Sequence, residues 1–142
     1  MRGGYRARLI GKTAEYSLKK RLEKAGWSVM RAPASGARSS EAVPDIVALK
    51  AGRILMFEVK LRDKPRSIYI EEHKYTGIMN YARRAGAQVY LAVKVRGEDD
   101  FRVLPWSEAE RVELRNGVWY VFYKEKLDRA KTLTQLLSEL GA

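Results

Sequence analysis

The chain has 142 residues, with 28 Lys and Arg against 17 Asp and Glu, which gives a formal net charge of +11. It has no cysteine and one histidine, so disulfides, thiolate zinc sites and histidine clusters are excluded and any metal must be held by oxygen atoms, which favours Mg²⁺ or Mn²⁺. No apolar run approaches the ~20 residues of a membrane span, and the basic excess favours a nucleic acid over a membrane as partner. We expect one intracellular, cytoplasmic domain over 1–142.

The N-terminal segment of the chain is basic. Residues 1–10 carry Arg6 and Arg8 among glycines and predict a flexible basic arm that can order on a phosphate backbone, although a disordered tail fits as well. A helix is predicted over 13–25 from its apolar spacing. Glu15 lies in its first turn beside the apolar stripe, where on this pattern alone complementing the helix dipole is a better interpretation than catalysis.

A strand at 27–31 is followed by residues 32–43, which show no periodicity. A long loop that leads into a strand is typical of functional loops, so we interpret it as an active-site loop. Ser35 and Arg38 can offer donors to a phosphate there, and a solvated loop of the same composition is the equal alternative.

Two apolar segments, 44–49 and 54–60, are separated by a short turn that contains Ala-Gly and predicts a hairpin. Pairing around that turn sets Asp45 opposite Glu58, and Lys60 shares their face. Opposed residues have Cβ atoms roughly 4.5–5.5 Å apart, close enough for one hard cation to bind both carboxylates. Three charges converging on one face of apolar strands favour a metal site over solvated strand ends. A second ion would need another oxygen ligand, for which Glu15 is the candidate, directly or through water.

The remaining elements predict an α/β fold with a central mixed, mostly antiparallel sheet flanked by helices. His73, in the second helix, is interpreted as a surface residue. The predicted elements are a short extended segment at 67–70, a helix at 71–85, strands at 87–93 and 101–105, a hairpin with a type I′ turn at Asn116-Gly117, and a closing helix with a capping box from Thr132 to Gln135.

Pro44-Asp45 followed by Glu58-Val59-Lys60 resembles the PD-(D/E)xK nuclease superfamily. Further segments narrow the resemblance to archaeal Holliday-junction resolvases of the Hjc type, from about Gly11 to Pro105. They are Gly11 and Glu15, Gly26-Trp27, Arg31 to Gly36, Ile68-Tyr69 and Leu91 to Lys94. The resemblance implies a restriction-endonuclease-like fold. It also implies a Mg²⁺-dependent endonuclease, with Mn²⁺ as a possible substitute, that resolves four-way DNA junctions at the nucleoid by paired nicks from a homodimer.

Carried over by position, the resemblance implies that Asp45, Glu58 and the carbonyl of Val59 bind metal and that Lys60 assists the attacking water. It makes Glu15 a catalytic carboxylate, against the dipole interpretation. It also implies DNA contacts from Arg31 and Ser35, with Ser35 in the active site. Further residues that we expect to contact DNA are Arg38, Lys12, Arg6, Arg8 and Tyr69. Tyr16 stands where the family usually has an arginine.

Two rival functions remain on the sequence alone: a nuclease of the same fold acting on flaps, ends or duplex, and a non-catalytic DNA-binding module. The late hairpin is unusually aromatic, which predicts an uncovered apolar surface for the dimer contact. Its expected residues are Trp106, Trp119, Val121 and Phe122.

Overall fold

The computed structural model describes residues 2–32 and 42–141. Four helices and nine strands lie in this part of the chain, and a short 3-10 turn covers Trp106–Glu108. The helices are α1 (Arg2–Lys24), α2 (Glu72–Ala85), α3 (Lys124–Asp128) and α4 (Leu133–Glu139). The strands are β1 (Ser28–Arg31), β2 (Ile46–Lys50), β3 (Arg53–Arg62), β4 (Ile68–Glu71), β5 (Gln88–Val95), β6 (Arg102–Pro105), β7 (Glu110–Leu114), β8 (Gly117–Phe122) and β9 (Lys131–Thr132).

Six strands form the central sheet in the order β1-β2-β3-β5-β6-β9. Only β3 and β5 run parallel, and the other neighbours are antiparallel. Leu18 and Leu22 of α1 pack with α4 on one face of the sheet, while α2 packs with the second sheet on the other. The predicted fold class, a mixed sheet flanked by helices, is therefore confirmed.

The hairpin of β2 and β3 has the predicted register. Leu49 pairs with Ile54, and Ile46 pairs with Phe57 at the far end of the ladder. Ala51 (φ 49°) and Gly52 (φ 82°) both adopt left-handed backbone, as the type I′ turn of a tight hairpin requires. Ile46 and Phe57 pack in the α1 core, so Asp45 and Glu58, one residue further along, point toward α2.

Helix α1 is longer than predicted. Residues 2–10, expected to be a flexible arm, are helical, and the helix begins at Arg2 instead of Thr13. The buried side chains of Leu18 and Leu22 anchor the helix. Residues 5–10 contain no proline, so the helix can extend toward the N-terminus through these residues at little cost in free energy.

A second sheet, with strand order β4-β8-β7, was not predicted. Its hairpin also differs from expectation, because Leu114 pairs with Gly117 and the loop is therefore Arg115-Asn116. Ala51 is the only non-glycine residue with positive φ in the described part, so the type I′ turn predicted at Asn116-Gly117 is wrong. In this hairpin, Gly117 is the residue with a positive φ, at 128°.

An aromatic cluster joins α2 to the second sheet. The Tyr75 hydroxyl donates to the Trp106 carbonyl (2.9 Å), and the Trp106 indole N–H donates to the Tyr75 carbonyl (3.2 Å). The Tyr75 ring stacks on Trp106 and on Tyr120, with centroids 5.0 and 3.9 Å away. These contacts fix the first turns of α2 against the sheet.

The predicted dimer surface needs correction. Trp106, Val121 and Phe122 are at most 2% exposed, because β8 is the central strand of the small sheet and Trp106 and Phe122 lie in the core beneath α2. They are core residues of the protomer and form no uncovered surface. Trp119 is half-buried and meets Tyr69 edge to face at 6.3 Å.

The predicted capping box of α4 is confirmed: Gln135 N–H donates to the Thr132 hydroxyl, and the Gln135 side chain accepts from Thr132 N–H. Within the described ranges, no helix is long and apolar enough to cross a membrane.

Candidate active site

Asp45 is held in place by backbone hydrogen bonds at the open end of the β2–β3 hairpin. The Val59 N–H donates to Asp45 Oδ2 (2.8 Å), and the Ala32 N–H donates to the Asp45 carbonyl (2.8 Å). The first bond ties the carboxylate to β3 next to Glu58, and the second extends the β1–β2 ladder. Asp45 therefore has a fixed orientation across from Glu58, as the hairpin register predicts.

Glu58 is 1% exposed and is the one buried charged residue in the described part of the chain. Burial raises its pKa to about 7, and the nearby Asp45 carboxylate contributes in the same direction. Its Oε1 is buried without a hydrogen-bond partner. Burial of a carboxylate oxygen without a hydrogen bond costs free energy, and a hard cation bound to that oxygen would offset the cost.

Lys60 extends from the same strand face, with Nζ 3.8 Å from Glu58 Oε2. Burial lowers the pKa of Lys60, although Glu58 acts in the opposite direction. A lysine with a lowered pKa is neutral for a larger part of the time, so it can accept a proton more readily than a solvated lysine.

Lys74, in the first turns of α2, was missed by the sequence analysis. Its Nζ lies 2.6 Å from Glu58 Oε2. Burial alone would lower the pKa of Lys74, but the contact with the Glu58 carboxylate raises it. The available signal was its position four residues before Ile78, which places it on the inner face of the helix. His73, beside it, is exposed as predicted, with 77% of its side chain accessible.

Glu15 forms an ion pair with Arg31. Arg31 Nε donates to Glu15 Oε1 (2.8 Å), and the Arg31 guanidinium stacks over the Tyr16 ring at 4.8 Å. Arg31 pairs with Ile46, whose side chain packs on the α1 side of the sheet, the face opposite Asp45 and Glu58. No group of three or more Asp, Glu, His or Cys side chains that could hold a metal occurs in the described residues. The structure therefore brings together Asp45, Glu58 and Lys60, and the contact that it shows for Glu15 is the ion pair with Arg31.

The remaining residues expected to contact DNA are only partly visible. Tyr69 is 49% exposed at the small sheet, and Arg31 is half-buried. Ser35 and Arg38 lie outside the described residues, as do the side chains of Arg6, Arg8 and Lys12.

Gly77 allows α2 to approach the segment that leads into Asp45. A Cβ at this position would lie 2.8 Å from the Ala42 Cβ, closer than real Cβ contacts. Gly77→Ala should therefore destabilise the protein by about 1–3 kcal/mol through overpacking and lower cleavage by displacing Asp45. Urea denaturation and a cleavage assay measure the two effects.

Asn80→Ala, at an exposed position of the same helix, is the matched control. In an uncrowded helix, Gly→Ala stabilises by about 1 kcal/mol. Stabilisation by Gly77→Ala with unchanged cleavage would show that the close approach to Ala42 has no functional role.

The fold and the site together define a class of protein. A mixed sheet flanked by helices, with opposed carboxylates and a lysine at a hairpin end, is the arrangement of restriction-endonuclease-like nucleases. The crystal structure of Archaeoglobus fulgidus Hjc, described as a Holliday junction resolvase, has the same fold, with a TM-score of 0.75 and 24% identity over 91% of this chain and 96% of that one.

Sequence comparisons define the family. A family model described as archaeal Holliday junction resolvase (Hjc) matches residues 6–140. The crossover junction endodeoxyribonuclease Hjc of Sulfurisphaera tokodaii is 44% identical over 127 residues, 89% of this chain and 85% of the relative. The crossover junction endodeoxyribonuclease Hjc of Sulfolobus acidocaldarius is 37% identical over 108 residues, 76% of this chain and 74% of the relative. The chain belongs to the archaeal Holliday junction resolvase (Hjc) family, a family of endonucleases.

Proposed function

We propose that this protein is a Mg²⁺-dependent endonuclease that resolves four-way DNA junctions by phosphodiester hydrolysis. The observation that carries the proposal is the buried Glu58, whose Oε1 has no hydrogen-bond partner and which faces Asp45, in a chain of the Hjc family. The net charge of +11 suits a polyanionic substrate. With that substrate, the protein would work where the chromosome lies, in the cytoplasm at the nucleoid.

The residues fit a hard divalent cation. Asp45, Glu58 and the Val59 carbonyl are the oxygen donors that we assign to it, and Mn²⁺ can replace Mg²⁺ at donors of this kind. When bound, the ion supplies charge neutralisation of the phosphate and a lower pKa for its water. Arg31 Nε donates to Oε1 of Glu15, so we assign Glu15 to orienting that arginine.

Lys60 is the residue that we assign to the attacking water. Its lowered pKa and its place beside Glu58 let it accept the water proton as the new phosphorus–oxygen bond forms. When charged, the same ammonium stabilises the negative charge that develops on the phosphate oxygens. The phosphorus–oxygen bond to the leaving strand breaks in the same displacement.

Arg31 is preorganised for a phosphate. Its Nε donates to Glu15, and its guanidinium stacks on the Tyr16 ring. Position 16 is where the family usually has an arginine, and here its tyrosine helps to position Arg31. We assign further backbone contacts to Lys12, Ser35, Arg38 and Tyr69 and to the N-terminal arginines Arg6 and Arg8. Ser35, ten residues before Asp45 in the sequence, is assigned to the scissile phosphate.

Paired nicks in opposing strands need two active sites, so we propose a homodimer. Of the four residues suggested for its interface, Trp119 remains available on the surface. Sedimentation equilibrium of the 16.2 kDa chain measures this directly, with a dimer mass expected.

The function is tested by incubating the protein with an immobile four-way junction and with linear duplex of the same sequence, in Mg²⁺ or in EDTA. We expect Mg²⁺-dependent nicks in opposing strands of the junction and intact duplex. Equal cutting of both substrates would retain a nuclease but reject junction selectivity. Tight junction binding without cutting would favour a non-catalytic DNA-binding module.

A further inference from the structure

We infer that Lys74 supplies, beside Glu58, the positive charge that a second divalent cation would supply, so that the centre takes one ion per chain. The inference rests on the proposed metal-dependent function and names Lys74 as a positioning residue that acts through Glu58. It departs from the expectation that Glu15 completes a site for a second ion.

The two oxygens of Glu58 have different surroundings. Oε2 has Lys74 Nζ at 2.6 Å and Lys60 Nζ at 3.8 Å, whereas Oε1 is buried without a hydrogen-bond partner. An ammonium at 2.6 Å makes a short, charge-assisted hydrogen bond and occupies that side of the carboxylate. One oxygen is therefore held by Lys74, and the other is the atom left for a metal ion.

The charges around the centre also favour one ion. Two carboxylates, Asp45 and Glu58, already face two ammonium groups, Lys60 and Lys74. No third acidic ligand joins them within the part of the chain that the structure describes. Two-ion sites bring the ions within ~3.5–4 Å of each other, and a second dication here would meet both lysines. Among the described residues, the further carboxylate that acts on Lys74 is Glu71, which is more than half exposed and faces His73.

Lys74 is held at this place by its neighbour. Tyr75, the next residue, exchanges two hydrogen bonds with Trp106 and stacks between Trp106 and Tyr120. The backbone that carries Lys74 is therefore fixed against the second sheet. The lysine reaches Glu58 from a rigid helix, with its side chain 37% exposed.

The test counts Mn²⁺ ions bound to the intact protein, without DNA, by electron paramagnetic resonance of the free ion. The variants are Lys74→Gln, Lys74→Arg, Asp45→Asn, and Lys64→Gln as an exposed control with the same change in charge. We expect one Mn²⁺ per wild-type chain, lost in Asp45→Asn. The measurement is made at a pH where Glu58 is ionised in every variant, because loss of Lys74 also favours the protonated carboxyl. Removing the ammonium from Glu58 should then tighten Mn²⁺ binding about tenfold in Lys74→Gln, because a charge this close shifts ionic equilibria by that order. Lys74→Arg and Lys64→Gln should bind as the wild type does.

Two results would overturn the inference. One is two Mn²⁺ ions per wild-type chain that are both lost in Asp45→Asn, and the other is unchanged Mn²⁺ affinity in folded Lys74→Gln. Parallel junction cleavage by the wild type separates this failure from that of the proposed function. If the chain cuts junctions and binds two ions, only the one-ion inference is rejected. If it does not cut junctions, the proposed function is rejected, and the number of bound ions still tests the role of Lys74.

Discussion

Replacing Asp45 with asparagine is expected to lower Mg²⁺-dependent junction cleavage by about a thousandfold or more, because one of two carboxylates for the cation is lost. Asparagine keeps a side-chain oxygen that can accept the Val59 N–H bond, so the hairpin end stays folded. Glu58→Gln should have an effect of the same size. Single-turnover cleavage of an end-labelled junction measures both rates.

Junction binding separates a loss of chemistry from a loss of affinity. Both substitutions remove negative charge next to the DNA, so affinity should stay equal or increase. Asp63→Asn is the matched control, because Asp63 is exposed and paired with Arg96 outside the site. Wild-type rates in Asp45→Asn and Glu58→Gln would reject the site, and a fall in the Asp63→Asn rate of similar size would show that the effect is not specific to it.

Glu58 should also make the metal-free protein less stable as the pH rises. Its pKa is about 7 in the folded chain against an ordinary value of 4.5, so the folded state holds a proton that the unfolded state has lost between these values. Stability falls with rising pH wherever the folded state binds more protons, and the full penalty, at most about 3 kcal/mol, is present above pH 7. Glu58→Gln removes this penalty.

Urea denaturation in EDTA at pH 5 and pH 8, for the wild type and Glu58→Gln, isolates the contribution of Glu58 and of the groups coupled to it, because the remaining groups cancel in the comparison. We expect the mutant to gain stability relative to the wild type as the pH rises. Glu98 contributes a pH dependence of stability of the opposite sign. The hydrogen bond from Arg102 lowers its pKa, so its stabilisation of the folded state is present at neutral pH and is lost as the pH falls. A parallel pH dependence in wild type and Glu58→Gln would contradict the buried-carboxylate assignment.

The same proton links metal binding to pH. A cation needs ionised Glu58, so binding below about pH 7 must expel the proton, and affinity should fall about tenfold per pH unit there. Cleavage at subsaturating Mg²⁺ should follow this dependence.

The part of the site that the sequence predicts is the part built by local geometry. The turn at Ala51-Gly52 sets the register of one hairpin, and alternation along two strands then decides that Asp45, Glu58 and Lys60 share a face. No long-range packing is needed for that inference. The capping box of α4 is predictable for the same reason, since its partners are three residues apart.

The features that were missed depend on contacts between distant segments. Lys74 meets Glu58 only because α2 crosses β3 at a position set by the aromatic cluster of the second sheet. That sheet pairs β4 with β8, about fifty residues later in the chain, for which periodicity gives no signal. The sequence predicts an exposed patch that includes Phe122 and Trp106, but packing against this sheet buries both side chains. The ion pair between Glu15 and Arg31 likewise depends on how α1 packs against β1.

The most direct test of the central claim, that the opposed carboxylates of the hairpin hold the catalytic cation, is anomalous scattering from crystals grown with Mn²⁺. We predict one peak per chain at Asp45 and Glu58, on the Oε1 side of the glutamate, and none there in Asp45→Asn crystals. A Mn²⁺ peak at other residues, in crystals of protein that cleaves junctions with Mn²⁺, would contradict the assignment of the metal to this pair.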